Sequence, residues 1–219
     1  MAYTISKFIR KYFERYCQDI GLDPAVITPK AQTVFDKLMR EAPDMGEKGN
    51  MMASNVDLTA AFFAYYEASE HRIGPEAIDI LIDRLANDYR RLSFFTDMNR
   101  HRYVRPLYYR MYSRHAENVK QHKANGEWTG TWDIRINPDH REEGICYHMS
   151  NCPLLAFVRA HGYEEMMPAI CRFDFIFERF LHARLIRTRT EATGGDCCDY
   201  WFIPDQSELA EEYRDFKSI

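Results

Sequence analysis

The sequence predicts an α+β fold, in which a helical N-terminal half is followed by a small antiparallel sheet packed with helices. Up to about residue 122, apolar residues recur every three or four positions, as in amphipathic helices. From Asn125-Gly126 onward, short stretches of alternating, β-favouring residues are separated by turns. We expect the elements after this change to follow the order ββααββ.

The helical half is expected to contain five helices, each with an apolar face. They cover approximately residues 3–20, 28–40, 57–71, 75–89 and 101–122. A polar loop with two glycines is predicted from Asp44 to Asn50.

The second half is expected to contain four strands around a helical segment. The predicted strands cover residues 128–136, 144–149, 184–193 and 199–203. A helix is predicted to begin at Pro153, because proline fits the first helical turn. Further helices are predicted over residues 164–179, with a break near Pro168, and over residues 207–219. The change of pattern divides the chain into a helical region, 1–124, and an α+β region, 125–219, either as two domains or as two layers of one domain.

The composition limits the classes of protein to which the chain can belong. The chain has 219 residues, 46% of them hydrophobic and 14% aromatic, which is enough for a sizeable core and too much for a disordered chain. The net charge of −4 argues against nucleic-acid binding by the molecule as a whole. The arginine- and aromatic-rich stretch 100–115 could suit RNA or an anionic membrane, but it is more typical of a helix with snorkelling arginines.

The compartment is expected to be the cytoplasm. No apolar run approaches the roughly 18 residues of a membrane span, and the N-terminus lacks the uninterrupted apolar stretch of a signal peptide. The six cysteines are then expected to be reduced, so each is a candidate for a reactive, metal-binding or buried thiol.

Cys152 is a candidate nucleophile. It precedes Pro153 at the start of a predicted helix, where the partial positive charge of the helix N-terminus is expected to lower the thiol pKa. The other interpretation is a buried or capping cysteine without reactivity.

Asp174 is a candidate general acid or base. It lies three residues after Cys171, so the two side chains would share one helical face. The surrounding residues are apolar, and a carboxylate in such a setting needs a partner, for which Arg172 or Arg187 is available. Arg187 is expected to point to the same strand face as Leu185 and Arg189, where its planar guanidinium is suited to bind a carboxylate.

A run of acidic residues and cysteines, Asp196-Cys197-Cys198-Asp199, follows two glycines. In an extended segment the two adjacent cysteines face opposite sides, so at most one of them is expected to enter a site. A distributed metal site formed by Cys152, Cys171, Cys198 and His148 is an alternative, although no close pair of cysteines with metal-ligand spacing is present.

These motifs, in this order, resemble the L-2-amino-thiazoline-4-carboxylic acid hydrolase family. The matching pieces are Cys152-Pro153, Cys171 with Asp174, Arg187-Thr188, and Gly195-Asp196-Cys197-Cys198-Asp199-Tyr200. The last piece also resembles the 4-vinyl reductase type of small-molecule-binding domain.

The resemblance implies a hydrolase that opens a small cyclic amidine-like ring, such as L-2-amino-thiazoline-4-carboxylate, to give N-carbamoyl-L-cysteine. Cys152 would be the nucleophile, Asp174 the general acid or base with Cys171 beside it, and Arg187 the anchor for the substrate carboxylate. The remaining substrate-binding residues would be Cys198, Asp199, Asp196 and His148.

We expect no cofactor beyond the alternative metal site, a small carboxylate as the partner rather than nucleic acid or membrane, and a homo-oligomer. The alternative function is a non-catalytic sensor that binds a small molecule in the same pocket.

Overall fold

The computed structural model describes residues 2–46 and 49–219, and it confirms the α+β class. Residues 47 and 48 of the predicted polar loop lie outside the described part. The helices are α1 (Lys7–Asp19), α2 (Pro24–Arg40), α3 (Ser54–Ala68), α4 (Glu76–Asp88), α5 (Arg90–Thr96), α6 (Val104–Ala124), α7 (Pro153–Ala160), α8 (Met167–Cys171), α9 (Ile176–Leu181) and α10 (Glu208–Glu212). The strands are β1 (Asp133–Ile136), β2 (Ile145–Ser150), β3 (Ala183–Ile186) and β4 (Cys198–Pro204).

Helix α3 forms the centre of the helical half. Its segment from Ala60 to Tyr65 is fully buried, because apolar residues occur on all sides of the helix rather than on one stripe. Tyr65 stacks on Phe13 of α1, with ring centroids 4.5 Å apart. Among residues 2–46 and 49–219, no helix is both long and apolar enough to cross a membrane.

The four strands form one antiparallel sheet in the order β1-β2-β4-β3. In the two central strands, Tyr147 pairs with Tyr200 and His148 pairs with Asp199. Since successive side chains in a strand point to opposite faces, this register puts the two tyrosines on one face and His148 with Asp199 on the other.

The face that carries the tyrosines packs against the helices. Tyr112 of α6 stacks on Tyr147 at 4.7 Å, and Tyr147 stacks on Tyr200 at 4.9 Å. One hydrophobic cluster contains residues from both sides of position 125, including Phe13 and Phe202. The division of the chain at residue 125 stays a prediction.

The opposite face of the sheet is covered by the C-terminal segment. Cys146, Trp201 and Ile203 form a second, smaller cluster with Ala210 of α10. We call the two sides the helix face, which carries Tyr147 and Tyr200, and the tail face, which carries Cys146 and Trp201.

Two predicted strands are shorter in the structure. The stretch 128–136 contributes only β1, because Trp128 adopts a left-handed backbone and stacks on His122 instead of extending the strand. The stretch 184–193 contributes only β3. After Ile186, the backbone N–H groups of Thr188 and Arg189 donate to the Asp199 carboxylate rather than to a neighbouring strand.

Two predicted helical segments are also interrupted. Residues 164–179 form α8, the beginning of α9 and two 3-10 turns, Glu164–Met166 and Arg172–Phe175. Pro168 is at the start of α8, where its missing N–H costs no helical hydrogen bond. The C-terminal helix covers only Glu208–Glu212 of the predicted residues 207–219.

Candidate active site

The centre of the site is an ion pair on the helix face of the sheet, between a buried arginine and a half-buried aspartate. The Arg187 guanidinium is 1% exposed, and its Nη1 donates to Asp174 Oδ2 at 2.6 Å. The Tyr200 hydroxyl donates to the same oxygen at 3.0 Å. Asp174 therefore has the arginine partner that a carboxylate among apolar residues requires.

The Arg187 guanidinium has further partners that fix its position. The carbonyl oxygens of Cys171 and Ile219 accept hydrogen bonds from its Nη1 and Nε, and the rings of Phe175 and Tyr200 lie within 5.4 and 5.7 Å of its central carbon. Its own N–H donates to Ser218 at the C-terminal end of the chain. Arg187 is thus held by several elements and directed at Asp174.

The pKa of Asp174 is subject to two opposing effects. Burial raises the pKa of its carboxyl, while Arg187 and Tyr200 oppose this increase by stabilising the charged form. Even so, 31% of its side chain remains accessible. Burial also raises the pKa of Tyr200 well above its ordinary value, so the phenol stays protonated and can donate to Asp174.

Cys152 is the N-cap residue of α7 and is half-buried. It follows Asn151, which turns the chain with a left-handed backbone, φ 59°, a conformation that asparagine tolerates better than most residues. The Glu191 carboxylate accepts the backbone N–H groups of Asn151 and Cys152, at 2.9 and 2.6 Å. Glu191 thereby fixes the beginning of α7 and the position of the thiol.

The expectation of a lowered pKa for Cys152 is wrong. Burial raises the pKa of this thiol to about 12, and this effect exceeds the lowering by the backbone N–H groups of Leu155 and Leu154 in the first turn of α7. The influence of the helix N-terminus is present, but removal of the thiolate from water costs more.

Two further thiols belong to the same group. Burial and the charge of Asp174 raise the pKa of Cys171, and Arg187 opposes this increase. Burial likewise raises the pKa of Cys198 to about 11, with Asp174 and Arg187 again among its electrostatic neighbours. The six side chains form what we call the Asp174 cluster: Cys152, Cys171, Asp174, Arg187, Cys198 and Tyr200.

Three of the predicted substrate-binding residues lie elsewhere. Asp199 accepts hydrogen bonds from Thr188 and Arg189, and Asp196 pairs with Arg189 at 2.9 Å on the surface. These carboxylates hold the loop before β4 instead of joining the Asp174 cluster. The reason is the alternation of β4, which turns Cys198 and Tyr200 to the helix face and Asp199 away from it.

His148 is the third of these residues, and it points to the tail face. Its Nε2 lies 3.1 Å from Asp139 and its Nδ1 lies 3.7 Å from the Cys197 thiol. The sheet separates it from the thiols of Cys152, Cys171 and Cys198. The distributed metal site suggested by the sequence is therefore wrong as a set of four, because its members do not converge.

Glu191 and Tyr147 are the residues that sequence reasoning missed. Glu191 accepts a hydrogen bond from the backbone of Asn151, 40 residues earlier in the chain, and no local sequence motif predicts such a contact. Tyr147 supports Tyr200 by stacking, and only the strand register reveals this pairing.

The Asp174 cluster thus combines three chemical capabilities. It offers thiols that become nucleophilic once deprotonated, a carboxyl group suited to proton transfer, and fixed donors that hold this carboxyl group in place.

Comparison with known proteins gives one match and two negative results. No curated protein matches the chain significantly. No solved structure matches it significantly either. The family model described as L-2-amino-thiazoline-4-carboxylic acid hydrolase matches residues 55–202, which is more than half of the chain and includes every member of the Asp174 cluster. The chain therefore belongs to the L-2-amino-thiazoline-4-carboxylic acid hydrolase family.

Proposed function

We propose that the protein is a hydrolase that opens a small cyclic amidine-like ring. The substrate we propose is L-2-amino-thiazoline-4-carboxylate, and the product is N-carbamoyl-L-cysteine. The observation that carries this proposal is the Asp174 carboxylate, held by Arg187 and Tyr200. The thiols of Cys171 and Cys198 are among its electrostatic neighbours, and Cys152 in turn interacts with these two thiols. The family of the chain is named for this reaction.

The chemistry begins at C2 of the ring, which becomes electrophilic when the ring nitrogen is protonated. In the proposed first step, the Cys152 sulfur forms a bond to C2 and the bond from C2 to the ring sulfur breaks. The ring sulfur leaves as a thiol after taking up a proton. Water then adds to C2 and displaces Cys152, so the complete reaction consumes one water and returns the enzyme thiol.

Proton transfer has to accompany this attack. With a pKa of about 12, the Cys152 thiol is protonated near neutral pH and must lose its proton during the step. Asp174 is our proposed acceptor, either directly or through a water, and it would return the proton to the leaving sulfur. A carboxyl group with a raised pKa is suited to this exchange, since acid–base catalysis is most effective when the pKa is near the working pH.

We assign Arg187 the role of a positioning residue for Asp174. The guanidinium is buried and already donates to Asp174, Cys171 and Ile219. Its role as the anchor of the substrate carboxylate stays a prediction, which requires the guanidinium to release one of these acceptors.

The test is incubation of the purified protein with L-2-amino-thiazoline-4-carboxylate, followed by mass spectrometry. A gain of one water by the substrate at a catalytic rate is the expected result. Cys152→Ala should abolish turnover, and Asp174→Asn should reduce it by roughly 10²–10⁴-fold, the usual contribution of a general acid or base.

Cys17→Ala is the matched control, because Cys17 is also buried but lies in α1, outside the Asp174 cluster. Near-normal turnover by Cys152→Ala would remove this thiol from the nucleophile role and favour water activated by Asp174. Binding of the compound without turnover, measured by calorimetry, would contradict the hydrolase proposal and favour the non-catalytic sensor.

A further inference from the structure

A second group of chemically reactive side chains lies on the tail face of the sheet. It consists of Asp139, Cys146 and His148. One oxygen, the sulfur and one ring nitrogen of these residues all lie within 4.8 Å of one another. None of the three belongs to the Asp174 cluster, which is on the helix face.

The backbone explains why these side chains meet. Cys146 and His148 are two residues apart in β2, so both point to the tail face. Asp139 comes from the loop between β1 and β2, and Asn137 closes this loop through two hydrogen bonds with the backbone of Arg141, at 2.8 and 3.1 Å. The loop places Asp139 Oδ2 at 3.1 Å from His148 Nε2 and 3.9 Å from Cys146 Sγ.

The surroundings of His148 fit a metal ligand. Its second ring nitrogen, Nδ1, faces the Cys197 thiol at 3.7 Å, so one nitrogen has a protein partner and the other is directed at Asp139 and Cys146. Metal-binding histidines commonly donate their second ring N–H to a carboxylate, a backbone carbonyl or a water, and here a thiol sulfur, a weaker acceptor, occupies that position. Cys146 and His148 are almost fully buried, while the Asp139 side chain is 38% exposed, which leaves one side open to water.

We propose that Asp139, Cys146 and His148 bind a divalent transition metal ion of the zinc class. A thiolate, an imidazole and a carboxylate are typical zinc ligands, and three protein ligands leave a fourth position for water on the exposed side. One thiolate and one carboxylate also balance the two positive charges of the ion. The bound ion would fasten the β1–β2 loop to the central strand β2.

Binding requires the Cys146 S–H bond to break, with release of the proton to solvent and formation of a sulfur–metal bond. We therefore expect the apparent affinity for the ion to increase with pH, since protons and the metal compete for the same sulfur.

The experiment is a titration of the metal-free, full-length protein with Co²⁺, followed by displacement with Zn²⁺. A bound thiolate gives Co²⁺ a sulfur-to-metal charge-transfer absorption in the near ultraviolet. We expect this absorption to saturate at one equivalent of Co²⁺, with release of about one proton as the thiol ionises on Co²⁺ binding. Addition of Zn²⁺ should then remove the absorption without further proton release.

Two variants identify the site. Cys146→Ser should remove the charge-transfer absorption. Asp139→Ala changes a half-exposed loop residue and so avoids a disturbance of the core. Loss of a direct ligand should weaken binding by more than the ~10–100-fold typical of an outer-shell partner. Cys17→Ser and Asp83→Ala are the controls, because Cys17 is a buried thiol in α1 and Asp83 an exposed carboxylate in α4.

Three results would overturn the proposal. They are a titration without saturable absorption, an absorption unchanged in both site variants, and an absorption lost in Cys152→Ala but kept in Cys146→Ser. The last would assign the ion to the Asp174 cluster. Because the readout is metal binding, a failure here is independent of whether the ring-opening activity is found.

Discussion

At the residue scale, the charge of each side chain in the Asp174 cluster depends on two opposing effects. Burial favours the neutral form of every thiol and of Asp174, whereas Arg187, the Tyr200 hydroxyl and the first turn of α7 favour the charged forms. For the thiols, burial has the larger effect. The cluster therefore holds neutral thiols around one arginine–carboxylate pair, and its nucleophile has to be ionised during the reaction.

The raised pKa of Cys152 predicts slow alkylation with a steep pH dependence. At neutral pH, a thiol with a pKa of about 12 has roughly three-thousandfold less thiolate than an unperturbed cysteine, for which the pKa is about 8.5. The iodoacetamide rate at Cys152, followed by peptide mass spectrometry, should increase about tenfold per pH unit from pH 7 to 10. The urea-unfolded protein is the control. A rate that levels off below pH 8 would mean that the thiol pKa is lowered instead.

Removal of one partner of the Arg187–Asp174 ion pair is predicted to destabilise the protein. Arg187→Met leaves the half-buried Asp174 carboxylate without its charged partner and should reduce the free energy of unfolding by about 1–3 kcal/mol in urea denaturation. Arg189→Met is the matched control two residues away, because Arg189 pairs with Asp196 at the surface, where both side chains are largely exposed. The control should change stability by less than about 0.5 kcal/mol. Equal losses in the two variants would contradict the role assigned to Arg187.

At the scale of secondary-structure elements, α7 carries the candidate nucleophile and Glu191 fixes its beginning. A carboxylate at a helix N-terminus satisfies N–H groups that lack helical partners and interacts favourably with the helix dipole. Glu191 lies in the 3-10 turn Glu191–Thr193, and its backbone N–H faces the Cys198 sulfur at 3.5 Å. This turn therefore joins the start of α7 to the start of β4, which are the two elements that hold Cys152 and Cys198.

Removal of this cap should cost about 1 kcal/mol. Glu191→Ala leaves the N–H groups of Asn151 and Cys152 without their side-chain acceptor, and the expected loss is typical of helix caps. Glu165→Ala, which changes an exposed glutamate in another 3-10 turn, is the control and should have little effect. The measurement is the urea midpoint of each variant. If the two variants unfold at the same midpoint, the hydrogen bonds of Glu191 contribute nothing to stability.

At the scale of the whole molecule, the Asp174 cluster depends on both halves of the chain. Helix α6 supplies Tyr112 to the tyrosine stack beneath Tyr200, and Arg172 of the segment between α8 and α9 pairs with Asp79 of α4 at 2.9 Å. At the other end of the chain, Ser218 and Ile219 contact Arg187.

This dependence predicts that the two regions do not fold separately. Fragments 1–124 and 125–219 should each lack a cooperative thermal transition by circular dichroism, because each would expose a face that packs against the other in the intact chain. The intact protein should unfold in one transition by calorimetry. Independent cooperative unfolding of either fragment would support two domains with a boundary near residue 125.

The sequence by itself determined the α+β class, the order of the main elements other than α5, and most of the cluster. Periods of three to four residues and of two residues identify helices and strands, because these repeats follow from local backbone geometry. Because the neighbours of Asp174 in the sequence are apolar, its carboxylate was expected to need a charged partner, and the structure provides Arg187 as that partner. Motif order alone also indicated the family to which the chain belongs.

Only the tertiary structure decided the faces, the pairings and the proton states. The register of β2 and β4 separates His148 and Asp199 from Cys198 and Tyr200. The strand predicted over 184–193 ends at Ile186, because the next backbone N–H groups donate to the Asp199 side chain. The pKa of Cys152 is raised, although the sequence predicted that it would be lowered, because the thiol is buried by residues that are far away in the sequence. The periodicity of a sequence shows which way a side chain points relative to its neighbours in the chain. It does not show which residues from other elements pack against that side chain, and the energy of a charged group depends on those residues.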